Sequence, residues 1–130
     1  MSDAERIAQT QSRLGALLKQ AGCTDYSADE ARADAQECWR DIREDNLAHG
    51  DSADEPFFDF VLTENVAVFT FFEPSLSIYI LPGDELSFRT RFEALAMIDV
   101  EEARQILATD FNKASPDIML DPTLARAWLS

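Results

Sequence analysis

Basic residues are scarce in this chain of 130 residues, because Lys and Arg number 11 against 25 Asp and Glu and leave a net charge of -14. Binding to a phosphate backbone or to an anionic membrane surface requires clustered cations. We therefore expect neither nucleic acid nor a membrane among the partners. Long apolar runs are also missing, which argues against a membrane span. The first residues, Met-Ser-Asp-Ala-Glu-Arg, are polar and unlike a signal peptide, so we expect a cytoplasmic protein.

The residue types that build most catalytic and metal sites are equally few. With four glycines the chain has no glycine-rich phosphate loop, and no Ser or Cys lies in a nucleophile-elbow pattern. Cys23, Cys38 and the single His49 lack the spacing of a zinc site, and the two cysteines are expected to be free thiols. Acid pairs are so frequent that none stands out as a general acid and base. We expect no enzymatic activity, no cofactor and no metal.

Apolar residues make up 46% of the chain, enough for one hydrophobic core in a single domain spanning residues 1–130. Apolar residues at helical spacing predict a first helix from about Ala4 to Ala21, capped by Asp3. The capping pair Ser27 and Glu30 predicts a second helix, from 28 to 48, with a face of small residues. An exposed loop is expected over 46–56.

From Phe57 to Phe92 the pattern changes to alternation rich in Phe, Val, Ile and Tyr, which is typical of strands. Short turns separate four predicted strands, and these are Phe57–Thr63, Val66–Phe72, Leu76–Leu81 and Leu86–Phe92. Helical spacing then returns after a predicted cap at Asp99, and Asp121-Pro122 predicts the start of a terminal helix, with a short strand over 117–120 before it. The order predicts an α+β fold, with an antiparallel β-meander flanked by N-terminal and C-terminal helices.

Aromatic residues are concentrated in the predicted meander, where Phe57 is adjacent to Phe58 and Phe71 to Phe72. Neighbouring residues of a strand point to opposite faces, so both faces of the sheet are apolar. The predicted helices are too few to cover both faces of the sheet. We therefore expect one face, with an exposed Phe71, to be an interface with a protein partner. The same two-sided sheet, with the small-residue face around Ala31, predicts a homodimer. The candidate partner-binding residues are Phe57, Phe69, Phe71, Tyr79 and Trp39.

Acidic residues dominate the interval between Arg43 and Arg89, which contains no Lys or Arg and places its acids mainly at the predicted turns. One interpretation is a solvated surface that keeps the protein soluble. The other is a negative surface that attracts a basic partner.

Three segments carry a resemblance to a known family. They are the first helix, Arg6–Gly22, the hairpins over Phe57–Pro82, and the tail ILATDFNKASPDIMLDPTLARAWLS, Ile106–Ser130. Together they resemble the type III secretion chaperones that bind effector proteins. The resemblance implies a homodimer that keeps a stretch of its effector polypeptide unfolded and soluble before export, without a cofactor. The helix predicted over 28–48 has no counterpart in that pattern.

Two other functions remain open from the sequence. An inhibitory or immunity-type protein would use the acids between Glu44 and Glu85 to occlude a basic site on a nuclease or another nucleic-acid-binding protein. An enzyme with a carboxylate metal site agrees with the number of acids, but no spacing supports it.

Overall fold

The structure, a computed structural model, describes residues 2–50, 56–63, 65–82, 100–113 and 115–130. These residues form four helices and four strands, in the order α1 (Asp3–Gln20), α2 (Ala28–Ala48), β1 (Phe57–Leu62), β2 (Val66–Phe72), β3 (Leu76–Pro82), α3 (Val100–Asp110), β4 (Ile118–Leu120) and α4 (Pro122–Leu129). The predicted α+β class, with an antiparallel meander between N-terminal and C-terminal helices, is confirmed. The predicted strand Leu86–Phe92 and the predicted cap at Asp99 lie outside the described residues.

Two of the predicted helix caps are present. The Ser27 hydroxyl accepts a hydrogen bond from the backbone N–H of Glu30 at 3.2 Å. At the start of α4 the Asp121 carboxylate accepts the N–H of Leu124 at 2.9 Å, and Pro122 occupies the first turn. Each cap satisfies a backbone donor that has no partner within the helix, which is why α2 and α4 begin at these residues.

Helix α2 has the predicted bounds, whereas the start of α1 and the start of the loop after α2 differ slightly from the prediction. Ser2, rather than Asp3, caps α1, because the Ser2 hydroxyl accepts the N–H of Glu5 at 3.2 Å and the helix therefore begins at Asp3. Helix α2 continues to Ala48, so the segment from Asn46 to Ala48 is helical and not part of the predicted loop.

The sheet has the order β1-β2-β3-β4, and every neighbouring pair is antiparallel. The β1–β2 register runs without interruption from the Phe57–Phe72 pair to the Leu62–Ala67 pair. Because no bulge interrupts it, side chains alternate strictly between the two faces along each strand. The adjacent phenylalanines therefore do point to opposite faces, as the sequence predicts.

Each face of the sheet packs against helices. The face that packs against α1, α2 and α4, called here the three-helix face, presents Phe57, Val66, Val68, Phe72, Leu76, Ile78, Ile80, Ile118 and Leu120. The opposite face, called here the α3 face, presents Ala67, Phe69, Phe71, Tyr79 and Leu81, with Phe58, Phe60 and Leu62 partly buried beside them.

The expectation that one apolar face is left open as an interface is wrong for the described residues. Val100, Ala103 and Leu107 of α3 are buried against the α3 face. Helix α3 therefore packs on the face that the sequence leaves for a partner, and Phe69, Phe71 and Tyr79 on that face are buried.

The small-residue face of α2 is also used inside the protein. Ala31 and Ala35 are 5% and 1% exposed and belong to the core formed with α1, α4 and the three-helix face. Small side chains at these positions allow the helices to approach closely, so they no longer support a homodimer contact.

Candidate functional site

The five predicted partner-binding residues are all buried, and they divide between the two faces of the sheet. Trp39 of α2 and Phe57 of β1 lie in the core of the three-helix face. Both contact Phe72, with ring centroids 6.5 Å from Trp39 and 5.4 Å from Phe57. The structure does not bring these two together with the other three.

Phe69, Phe71 and Tyr79 lie beneath α3 on the other face. The expectation of an exposed Phe71 is wrong, because its side chain is 0% exposed and packs edge-on against Tyr79 at 5.6 Å. The guanidinium carbon of Arg104 lies 5.7 Å from the centre of the Phe71 ring. A partner-binding role for these aromatic residues stays a prediction, and the fold gives them a core position.

Arg104 holds α3 against the sheet. Its Nη1 donates to the Glu73 carboxylate at 2.7 Å, and its Nη2 donates to the Ser77 hydroxyl at 2.9 Å. Both side chains of the ion pair are largely buried, which makes the pair stronger than an exposed one. The arginine thereby connects α3 to the turn after β2 and to β3.

The outer edge of β1 is the surface of the sheet best suited to a polypeptide partner. In the sheet order β1 stands at one end, and no strand of the described residues pairs with its outer side. The N–H of Thr63 donates to the carbonyl of Val66 at 2.8 Å, which makes that pair a hydrogen-bonded one. By the alternation of an antiparallel ladder, the backbone groups of Phe58 and Leu62 then point away from β2.

The opposite end of the sheet has a short edge strand, and side chains occupy the part of β3 that this strand leaves uncovered. Strand β4 pairs only with Leu76–Ile78 of β3. Beyond it, the backbone N–H of Ile80 donates to the Asp117 carboxylate at 2.8 Å, and Lys113 donates to the carbonyl of Ile80 at 3.0 Å. Lys113 and Asp117 also form an ion pair at 2.7 Å. Such side chains block the addition of a strand to this part of β3, and β4 itself is only three residues long, whereas β1 has six residues.

Asp59 lies in β1 with its side chain on the three-helix face, where it is half-buried. Burial raises the pKa of this carboxyl group to about 6, the backbone N–H of Phe60 opposes the shift, and the nearby acids Asp34 and Glu37 add to it. The sequence-based view that acids lie at turns missed this position. The alternation of β1 could have found it, because Asp59 shares a face with the core residue Phe57.

The acids of α2 extend this environment into an acidic cluster formed by Asp34, Glu37 and Asp59. Burial raises the pKa of the Cys38 thiol to about 12, and Asp59 and Asp41 add to the shift. The Tyr26 hydroxyl donates a hydrogen bond of 2.5 Å to the Asp34 carboxylate. Desolvation and that carboxylate raise the pKa of Tyr26 above its usual value. In each case burial is the main cause, and the charges of the neighbouring acids beside β1 add to it.

A concave surface, called here the α2–α4 groove, lies between the C-terminal half of α2 and the end of α4. It encloses about 280 Å³, and Trp39, Arg40, Arg43, Leu47 and Leu129 are among the residues that line it. The guanidinium carbon of Arg43 lies 4.4 Å from the centre of the Trp39 ring. Sequence reasoning chose Trp39 as a partner-binding residue but did not identify the groove.

Among the described residues, no group of three or more His, Cys, Asp and Glu side chains is arranged to hold a metal ion, and Cys23 and Cys38 are free. In the same part of the chain, no helix is long and apolar enough to cross a membrane. Comparison with family models, with curated proteins and with solved structures gives no match.

Proposed function

We propose that the protein binds an extended segment of a client polypeptide, which pairs as an added strand with the outer edge of β1. The observation that carries the proposal is the difference between the two edges of the sheet. At one end β4 is only three residues long, and beside it Lys113 and Asp117 occupy the backbone groups of Ile80. At the other end β1 is six residues long, and no described strand pairs with its outer side. Strand addition is a common way to bind an unfolded segment, because backbone hydrogen bonds supply affinity for many sequences.

The chaperone function implied by the sequence resemblance agrees with this mode of binding. A protein that keeps an effector unfolded before export must hold extended chain without reading a long specific sequence. Backbone pairing at β1 meets that requirement, and the half-buried Phe58 side chain offers an apolar contact beside it. The effector client and the homodimer remain part of the proposal.

The acidic cluster determines which clients bind best. Asp34, Glu37 and Asp59 lie beside β1, where burial raises the pKa of Asp59 and repulsion by the other two acids adds to the shift. A basic side chain of the client next to Asp59 relieves that repulsion. We therefore expect a preference for extended segments that carry Lys or Arg at alternate positions.

A pair of probe peptides tests this preference. A peptide of alternating Val and Lys is expected to bind at least about tenfold more tightly than a peptide of alternating Val and Glu, by isothermal titration calorimetry at neutral pH. The β-forming valines are the same in both peptides, so the comparison isolates the charge. Equal affinity for the two peptides would contradict a role for the acidic cluster.

Two substitutions at Leu62 test the pairing with β1 itself. Both substitutions remove most of the Leu62 side chain. Leu62→Pro also removes the backbone N–H at the outer edge of β1, whereas Leu62→Ala keeps it. We expect Leu62→Pro to weaken binding of the Val-Lys peptide by about tenfold relative to Leu62→Ala, because one backbone hydrogen bond is lost. The folded fraction of both variants is checked by circular dichroism. If the two variants bind the peptide equally well, the client does not pair with this edge.

The acidic cluster also favours a second candidate, the inhibitory or immunity-type protein that occludes a basic site. In that case folded basic surfaces, rather than extended segments, bind to Asp34, Glu37 and their neighbours. Charge-driven association weakens steeply with salt, whereas strand addition keeps its backbone hydrogen bonds. An affinity for the Val-Lys peptide that persists from low to physiological salt supports the chaperone, and complete loss of binding supports the inhibitor.

A further inference from the structure

The α2–α4 groove contains buried hydrogen-bond donors that have no acceptor. Trp39 Nε1 and Arg43 Nε are both buried without a partner, and so is Asn46 Nδ2 one turn further along α2. The three residues are spaced by four and three positions, so they lie on one face of the helix. Burying a donor without an acceptor costs folding free energy, and native proteins rarely leave such groups without a reason.

Trp128 provides a comparison, because its indole N–H has a hydrogen-bond acceptor within the protein. Trp128 is 0% exposed, and its Nε1 donates to the side-chain oxygen of Gln11 at 2.6 Å. Trp39 is 7% exposed, nearly as buried, and lines the groove with its N–H unpaired. The contrast indicates that the acceptor for Trp39 comes from outside the chain.

The chemistry of the groove restricts what that ligand can be. All the unpaired groups on this face of α2 are N–H donors, so the ligand must supply acceptors. Arg40 and Arg43 add two positive charges in a strongly acidic protein, against the one acid, Glu44, that lines the groove with them. A carboxylate matches a guanidinium group in charge and in geometry.

The remaining lining residues are the polar Gln36 and Ser130 and the apolar Leu47 and Leu129. Leu129 is buried, but Leu47 is 60% exposed, one of the most exposed large apolar side chains of the described residues. A volume of about 280 Å³ corresponds to roughly ten water-sized groups, which suits a small molecule.

We propose that the α2–α4 groove binds a small apolar carboxylic acid, with its carboxylate on Arg43 and the Trp39 N–H and its hydrocarbon part against Leu47. This site is separate from the proposed client-binding edge, because it uses the C-terminal half of α2 and the end of α4. The failure of either proposal leaves the other unaffected.

Nuclear magnetic resonance of the two indole N–H groups tests the proposal. On titration of ¹⁵N-labelled protein with hexanoate, we expect the Trp39 indole signal to shift and saturate. The Trp128 signal serves as the internal control and should stay in place, because its N–H is already bound to Gln11. The Trp39→Phe variant assigns the signals, keeps an aromatic ring against Phe72, and is expected to lose the increase in melting temperature that hexanoate gives the wild type.

Matched ligands and variants define the outcomes. We expect hexanamide, which has no charge, and the Arg43→Met variant each to weaken binding by about tenfold or more. Arg13→Met makes the same change of charge on α1, outside the groove, and should leave binding unchanged. Arg43→Lys, which keeps the charge, should bind at an intermediate level and shows whether a loss in Arg43→Met comes only from poor folding.

Four results would overturn the proposal. They are a Trp39 signal that does not saturate, equal shifts of both indole signals, equal binding of hexanamide and hexanoate, and an equal effect of inorganic phosphate. A fifth such result is binding of a longer peptide that ends in leucine about tenfold more tightly than both hexanoate and N-acetyl-leucine, which would assign the groove to the C-terminus of a polypeptide.

Discussion

Replacing Phe71 by Ala is expected to lower the free energy of unfolding by about 3–5 kcal/mol, the range for removing a large aromatic side chain from a packed core. Phe71 is 0% exposed, and the rings of Phe58, Phe69 and Tyr79 surround it at centroid distances of 5.6, 6.1 and 5.6 Å. Truncation leaves a cavity between the sheet and α3 that rings in a regular sheet cannot move to fill. Urea denaturation, with the slope compared between variants, measures the loss.

Phe58→Ala is the matched control for this substitution. Phe58 stacks on Phe71 and is only partly buried, so the same chemical change is expected to cost about 1–2 kcal/mol. The comparison separates a core role from a binding role. If Phe71→Ala costs no more stability than Phe58→Ala but abolishes binding of the Val-Lys peptide, Phe71 is a client-binding residue and the core assignment is wrong.

The order of helices and strands could be predicted because it depends on local signals. Ser27 and Asp121 cap their helices by bonding a backbone N–H three residues ahead, a contact that a short stretch of sequence encodes. The alternation in Phe57–Phe72 likewise encodes two strands and their register, since the turn between them is short.

The covering of both sheet faces could not be predicted in the same way. Which face α3 packs on is decided by contacts such as the Arg104–Glu73 ion pair, which joins residues 31 positions apart. The apolar stripe of α3 predicts a helix that buries Leu107, but not the surface that receives it. An interface and an internal helix contact look alike in sequence, and the aromatic residues were therefore assigned to a partner.

The unpaired donors of α2 were also beyond sequence reasoning. The sequence alone does not distinguish Trp39 from Trp128. In the folded protein the Gln11 side chain of α1 accepts a hydrogen bond from the indole N–H of Trp128. Asp59 is intermediate between these cases. Its strand position is visible in the alternation, but the acids that surround it come from α2 and become neighbours only in the folded protein.

Asp59→Asn is expected to increase the stability of the protein at neutral pH. The pKa of Asp59 is about 6 in the folded protein, against an ordinary value of 3.8 for an aspartate side chain. A difference of this size corresponds to about 3 kcal/mol of unfavourable free energy when the group is ionised, and partial exposure of Asp59 reduces it to about 1–2 kcal/mol. The amide has no charge to desolvate or to repel Asp34 and Glu37, and its oxygen can still accept the N–H of Phe60.

The stabilisation depends on pH in a defined direction. Below about pH 4, Asp59 is protonated in the folded and the unfolded protein, so the wild type and the variant should be equally stable apart from the substitution itself. Between about pH 4 and pH 6 the folded wild type keeps a proton that the unfolded chain has lost, so its stability relative to the variant falls as the pH rises, and the difference levels off above pH 6. The melting temperatures of the two proteins should therefore diverge between about pH 4 and pH 7, with the variant several degrees higher at pH 7.

Asp41→Asn provides the control, because it makes the same change of charge at an exposed position of α2. A surface substitution of this kind changes stability by about 0.5 kcal/mol or less, with no divergence centred near pH 6. Parallel melting curves for both variants across the whole pH range would mean that Asp59 carries no unfavourable charge in the folded protein. The acidic cluster would then provide no gain for a basic client. A divergence confined to Asp59→Asn would instead show that the fold tolerates an unfavourable carboxylate charge in β1, which a cationic client segment at the outer edge of this strand would stabilise.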